Sequence, residues 1–150
     1  MCLSRNSKTA GWAHVHDPGM DLHLTAPFTL DTWDAVADPA PAEPDAPPTG
    51  RVVLAKTYRG DDLSGSATGH ALTTRGEAGA SYVAQERIAG TLAGRRGSFV
   101  LEHGASMGEG VETVQWARVV AGSGTAALAG LTGTGTVAHE LLTLDVVLPD

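Results

Sequence analysis

Two runs of sequence decide the fold. The first is Ser81-Tyr82-Val83-Ala84-Gln85-Glu86-Arg87-Ile88-Ala89-Gly90-Thr91-Leu92 and the second is Ser98-Phe99-Val100-Leu101-Glu102-His103-Gly104-Ala105-Ser106-Met107. Between them lies Gly94-Arg95-Arg96-Gly97, which reads as a turn. On the first run Tyr82, Ala84, Glu86 and Ile88 share a face, and Val83, Gln85 and Arg87 share the other. On the second, Phe99, Leu101 and His103 lie opposite Val100 and Glu102. A period of two is the signature of a β-strand, and two such runs about a glycine turn make an antiparallel hairpin.

The same grammar extends in both directions. His23 to Trp33 alternates, with Leu24, Ala26, Phe28 and Leu30 on one side. Arg51 to Tyr58 and Leu63 to Thr74 follow as strands, the second carrying small residues at Gly65, Ala67, Gly69 and Ala71. Beyond the hairpin come Val111 to Val120, a short strand near Gly133 to Val137, and Glu140 to Leu148. Seven or eight strands joined by glycine turns imply an all-β fold: a small antiparallel closed barrel of about eight strands, or a sandwich. Within Ser123-Gly124-Thr125-Ala126-Ala127-Leu128-Ala129-Gly130-Leu131, Thr125 is placed to cap one helical turn and Gly130 to end it. That turn is expected to plug one end of the barrel.

The chain divides into a tail at residues 1–20, without period, and a single barrel domain at 21–150. Residues 36–49, rich in proline and acid, read as an exposed loop, because proline cannot donate to a β-ladder. The 150 residues, 42% of them hydrophobic, suffice for one core, and 19 glycines with 8 prolines favour turns over long helices. The formal net charge of −7 and only ten scattered Lys and Arg argue against nucleic acid or an anionic membrane surface as partner. Cys2 is the single cysteine, so no intrachain disulfide forms. With no long apolar run and no secretory leader pattern, cytoplasmic residence is the expectation.

Several motifs are familiar when taken together: Lys56-Thr57-Tyr58-Arg59-Gly60-Asp61, Tyr82-Val83-Ala84-Gln85-Glu86-Arg87, Gly94 to His103, and Gly122-Ser123-Gly124-Thr125 leading to Leu128-Ala129-Gly130-Leu131. Over residues 22 to 148 the chain resembles a bacterial family of unknown function assigned to the allene oxide cyclase-like barrel, a fold similar to that of plant dirigent proteins. The resemblance implies a barrel of about eight strands. By analogy it implies cofactor-free isomerase or cyclase chemistry, and it carries over no catalytic residue.

Other signals have bland readings. Gly122 to Ala127 matches a dinucleotide fingerprint, but Gly130, Gly133 and Gly135 leave no room for the long helix that such a site requires. His14, His16 and Asp17 sit in the tail without a fourth ligand, so no metal is expected, and no cofactor. The barrel interior is the better place for a site. The apolar partners of Glu86 and His103 turn both inward, and a buried carboxylate needs a partner. His103, His70 or Arg118 are the expected partners, and Tyr82 and Trp116 the expected walls. Glu86 and His103 are thus the candidate catalytic pair, with Tyr82, Trp116, His70 and Arg118 as candidate ligand contacts. A small apolar molecule is the expected occupant. The alternative is a non-catalytic interaction protein that uses its exterior, as a homo-oligomer.

Overall fold

The computed structural model describes residues 19–38 and 40–150. The expected tail, with His14, His16 and Asp17, lies outside the described residues apart from Gly19 and Met20. Eight antiparallel strands are hydrogen-bonded in a ring, each to its neighbour in sequence and the last to the first. They are β1 (Met20–Val36), β2 (Thr49–Arg59), β3 (Leu63–Arg75), β4 (Gly79–Leu92), β5 (Arg95–Gly108), β6 (Val111–Val119), β7 (Thr132–Ala138) and β8 (Leu141–Leu148).

Strand β1 is longer than its alternation suggests because it serves two partners in turn. Met20 to Pro27 pair with β8, and Phe28 to Val36 pair with β2. Between Leu30 and Thr32 the register shifts at a bulge. The Thr57 hydroxyl donates to Asp31 Oδ2 there at 2.6 Å. One extra residue reverses the inward and outward parity of the remainder of the strand. Leu24 and Ala26 point into the core before the bulge, and after it Trp33 and Ala35 stand opposite the inward Leu54 and Val52.

The deciding hairpin is tighter than expected. β5 starts at Arg95, so the turn is Ala93 and Gly94, both at positive φ (48° and 78°), the conformation that two-residue hairpins require. Gly97 falls within β5 instead. A side chain there would strike the Thr125 carbonyl, 2.3 Å from the position of a Cβ. This close approach seats the segment after β6. A 3-10 turn at Ala126–Leu128 buries Leu128, and Leu131 follows it into the core, as the sequence suggested. Thr125 does not cap the turn with its side chain; its hydroxyl bonds the Ser98 amide and hydroxyl at 3.0 and 2.8 Å.

The interior has two unlike halves. Around Leu63, Ile88, Leu92, Phe99, Leu128, Leu131 and Leu148 it is filled with apolar side chains. Toward the other end there is only a small cluster of Val52, Leu54, Ala71 and Ala84, with Tyr82 against it. Beyond that cluster the barrel opens.

Candidate functional site

Strand parity sets which side chains meet inside. In the paired register Glu86 of β4 lies beside Leu101 of β5, and Ala84 beside His103, so both polar groups project inward on adjacent strands. Glu86 is 1% exposed and His103 3%. Two groups on β2 join them. Lys56, 5% exposed, places Nζ 2.7 Å from Glu86 Oε2 and 4.3 Å over the Phe28 ring, a cation–π contact that also covers its charge. The Tyr58 hydroxyl donates to Glu86 Oε1. His103 Nε2 lies 3.0 Å from Glu86 Oε2. On the far side of the imidazole, Nδ1 is 3.0 Å from the Tyr82 hydroxyl, and the two rings meet edge to face.

The electrostatics follow from this packing. Burial pushes the Glu86 carboxyl up, but His103, Lys56 and Tyr58 outweigh it and hold the group below the usual carboxylate value. Burial raises the Tyr58 phenol far above its ordinary value, and the Glu86 charge and hydrogen bond add to this. Tyr82 is raised too, by burial and then by Glu86. Every buried side-chain nitrogen and oxygen among the described residues has a partner. The cluster is thus one cation against one carboxylate, closed by three hydrogen-bonding rings.

Directly above it is an open cavity of about 680 Å3. Its walls include Trp33, Val36, Val52 and Met107, and Tyr82 is the member of the polar cluster that reaches it. Glu86 and His103 do not line this cavity themselves. They lie one layer beneath, behind Tyr82. A hydrogen-bonded chain therefore runs from the cavity surface at Tyr82, through His103, to the Glu86–Lys56 pair.

Three residues expected in the interior lie on the outer face instead. On β6 the inward residues are Ala117 and Val119, which pair with His103 and Leu101. Trp116 and Arg118 have the opposite parity. Trp116 is no wall of the interior; it pairs with Gly104 and packs over it on the outer surface. Arg118 is exposed beside Glu102 and does not reach Glu86. His70 is exposed between Val53 and Gln85, again on the outer face. The misreading has a clear source: β6 carries its bulky apolar side chains outside and small Ala117 inside. Sequence reasoning also missed Lys56, Tyr58 and Trp33. The first two alternate with Leu54 on β2, and that period was the available signal. Trp33 could not be placed without the bulge.

A family model described as a protein of unknown function (DUF3224) matches residues 24–141. A solved structure of a DUF3224 protein of unknown function from Shewanella oneidensis MR-1 is 28% identical, with a TM-score of 0.76, over 87% of this chain and 99% of that one. No curated protein matches. A family match over most of the barrel and a shared fold over nearly all of the related structure agree: this chain belongs to the DUF3224 family.

Proposed function

We propose that the barrel binds a small, mainly apolar molecule in the open cavity, with Tyr82 as its polar contact. The observation that carries this reading is the junction of the two features: the charged cluster reaches the cavity through Tyr82 alone among its members. The cavity has the size of a small-molecule site; Trp33, Val36, Val52 and Met107 give it apolar walls, while Asp38, Arg51, Thr73, Thr74 and Arg75 also line it. The Tyr82–His103–Glu86 chain equips it for cofactor-independent proton transfer of the kind an isomerase or cyclase needs. A proton taken up from the ligand at the Tyr82 oxygen would be matched by the phenol proton passing to His103 Nδ1; since Lys56 already neutralises Glu86, the imidazolium would be balanced by the anion left on the ligand. The allene oxide cyclase-like resemblance of the motifs supports this by analogy.

The test uses N-phenyl-1-naphthylamine, a dye that brightens in apolar sites. The wild-type chain should enhance its fluorescence saturably. Ala105→Trp, which fills the cavity from its wall, should abolish the enhancement while leaving the melting temperature within a few degrees. Equal binding by both proteins would refute the cavity as the site.

A second reading, an interaction protein that pairs with a second copy of itself, draws on the outer face. Leu72 and Val83 are cross-strand neighbours there, 56% and 50% exposed, in a groove of about 420 Å3 that Trp116 also borders. A two-fold dimer needs one self-complementary patch of this kind. Sedimentation should then show a dimer that Val83→Glu dissociates; a monomeric wild type would end this reading.

A further inference from the structure

The proton inventory of the cluster determines what kind of group the cavity floor can recognise. Glu86 is ionised opposite Lys56, and a carboxylate can only accept hydrogen bonds. His103 Nε2, 3.0 Å from Glu86 Oε2, must therefore carry a hydrogen. Lys56 already balances Glu86, so a second cation buried here would have no counter-charge, a costly state. The imidazole is accordingly neutral, with its one hydrogen on Nε2 and a lone pair on Nδ1. The contact between Nδ1 and the Tyr82 oxygen at 3.0 Å then has one sense: the phenol donates and the imidazole accepts.

Tyr82 has a single hydroxyl hydrogen, and His103 takes it. What remains on the phenol oxygen is acceptor capacity. We infer that the cavity floor at Tyr82 selects ligands presenting a hydrogen-bond donor there, such as a hydroxyl, an enol or an N–H, over those presenting only a carbonyl or ether oxygen. An acceptor ligand would force Tyr82 to turn its hydrogen away from His103 and leave Nδ1 of that buried ring unsatisfied. The same arrangement gives the chemistry a direction. Tyr82 acts on the ligand as a base, relayed by His103, before it acts as an acid. This rests on the cavity being the binding site, as proposed above.

Two probes of like size separate the possibilities: 2-naphthol, which donates, and 2-acetylnaphthalene, which only accepts. Affinities are measured by calorimetry for the wild type and for Tyr82→Phe, with melting curves as a control. Tyr82→Phe should weaken 2-naphthol by about 3- to 10-fold, the size of one hydrogen bond, and leave 2-acetylnaphthalene unchanged. Loss confined to 2-acetylnaphthalene, or equal loss or no loss for both, overturns the inference while the cavity reading stands. If neither probe binds the wild type, both fall. A second measurement needs no variant. Long-range 15N–1H correlation of the His103 ring should show hydrogen on Nε2 and a bare Nδ1, and a protonated Nδ1 would overturn the inference.

Discussion

Glu86→Gln is the most informative single change. The carboxylate accepts from Lys56, His103 and Tyr58 in a layer where all three side chains have little or no access to water. Glutamine keeps the shape but offers one acceptor oxygen and an NH2 that can only donate. Lys56 Nζ is then left as a buried ammonium with no anion. Removing one member of a buried ion pair costs about 3–5 kcal/mol, which is a large share of the about 5–15 kcal/mol by which a domain of this size is stable. The natural comparison is Lys56→Met with Glu86→Gln. It removes both charges together, and it should recover at least ~2 kcal/mol relative to the sum of the single changes. Urea unfolding with linear extrapolation measures all four corners of the cycle. The acid limb provides an independent check. The native Glu86 value is lowered, so its stabilisation is fully present above the ordinary value of 4.5 and is lost as pH falls through the native one. Glu86→Gln should flatten that part of the acid dependence. A loss under ~1 kcal/mol for Glu86→Gln, together with an additive double variant, would refute the account of a mutually dependent buried cluster.

Other parts of the barrel carry three further expected outcomes. Both tyrosines are raised, so the native chain should show little tyrosinate absorbance at pH 10; their contribution is present below that value and declines as pH rises toward the native ones, and early ionisation of both in the folded protein would contradict the burial of Tyr58. Gly97→Ala places a Cβ 2.3 Å from the Thr125 carbonyl, and urea unfolding should show a loss of about 1–3 kcal/mol; an unchanged midpoint would mean that the segment after β6 does not depend on this approach. Among the described residues the connection between β1 and β2 has no strand and holds exposed Glu43, so limited digestion with a glutamate-specific protease should cut there first, and initial cleavage within the barrel strands would count against this.

The all-β ring was legible in the sequence because alternation and glycine turns are local signals. Ser81 to Met107 needed nothing from the rest of the chain to identify it as a hairpin, and the inward pair Glu86 and His103 came with it. What was hidden depended on relations between distant segments. The bulge near Asp31 arises where β1 leaves β8 for β2, and one residue of slippage decides whether Trp33 faces the cavity or the solvent. β6 is the other failure. Its larger apolar residues Val114 and Trp116 suggested an inner face, whereas parity fixed by pairing with β5 gives that face to Ala117 and Val119. Lys56 was hidden by its chemistry. A lysine at an inward position normally argues against burial, and here it is inward because a carboxylate from β4 and the ring of Phe28 meet it.

The position of the cluster bears on why it exists. A barrel that only had to be stable would carry its apolar filling through both halves, since well-packed hydrophobic residues commonly match or exceed a buried ion pair in stability. Leu92, Phe99, Leu128 and Leu148 show that this chain can do so at one end. At the boundary with the open half it instead holds a lysine, a glutamate, a histidine and two tyrosines, arranged so that the charges cancel and only a phenol faces the space above. If the polar layer served folding specificity alone, nothing would require its chain of hydrogen bonds to reach the cavity surface, and Tyr82 could be a phenylalanine without consequence for anything bound there. The extension from Glu86 through His103 to Tyr82 distinguishes a charged core from a charged floor. On the proposed reading, the Tyr82 oxygen is the atom through which an occupant of the cavity would feel the buried ion pair.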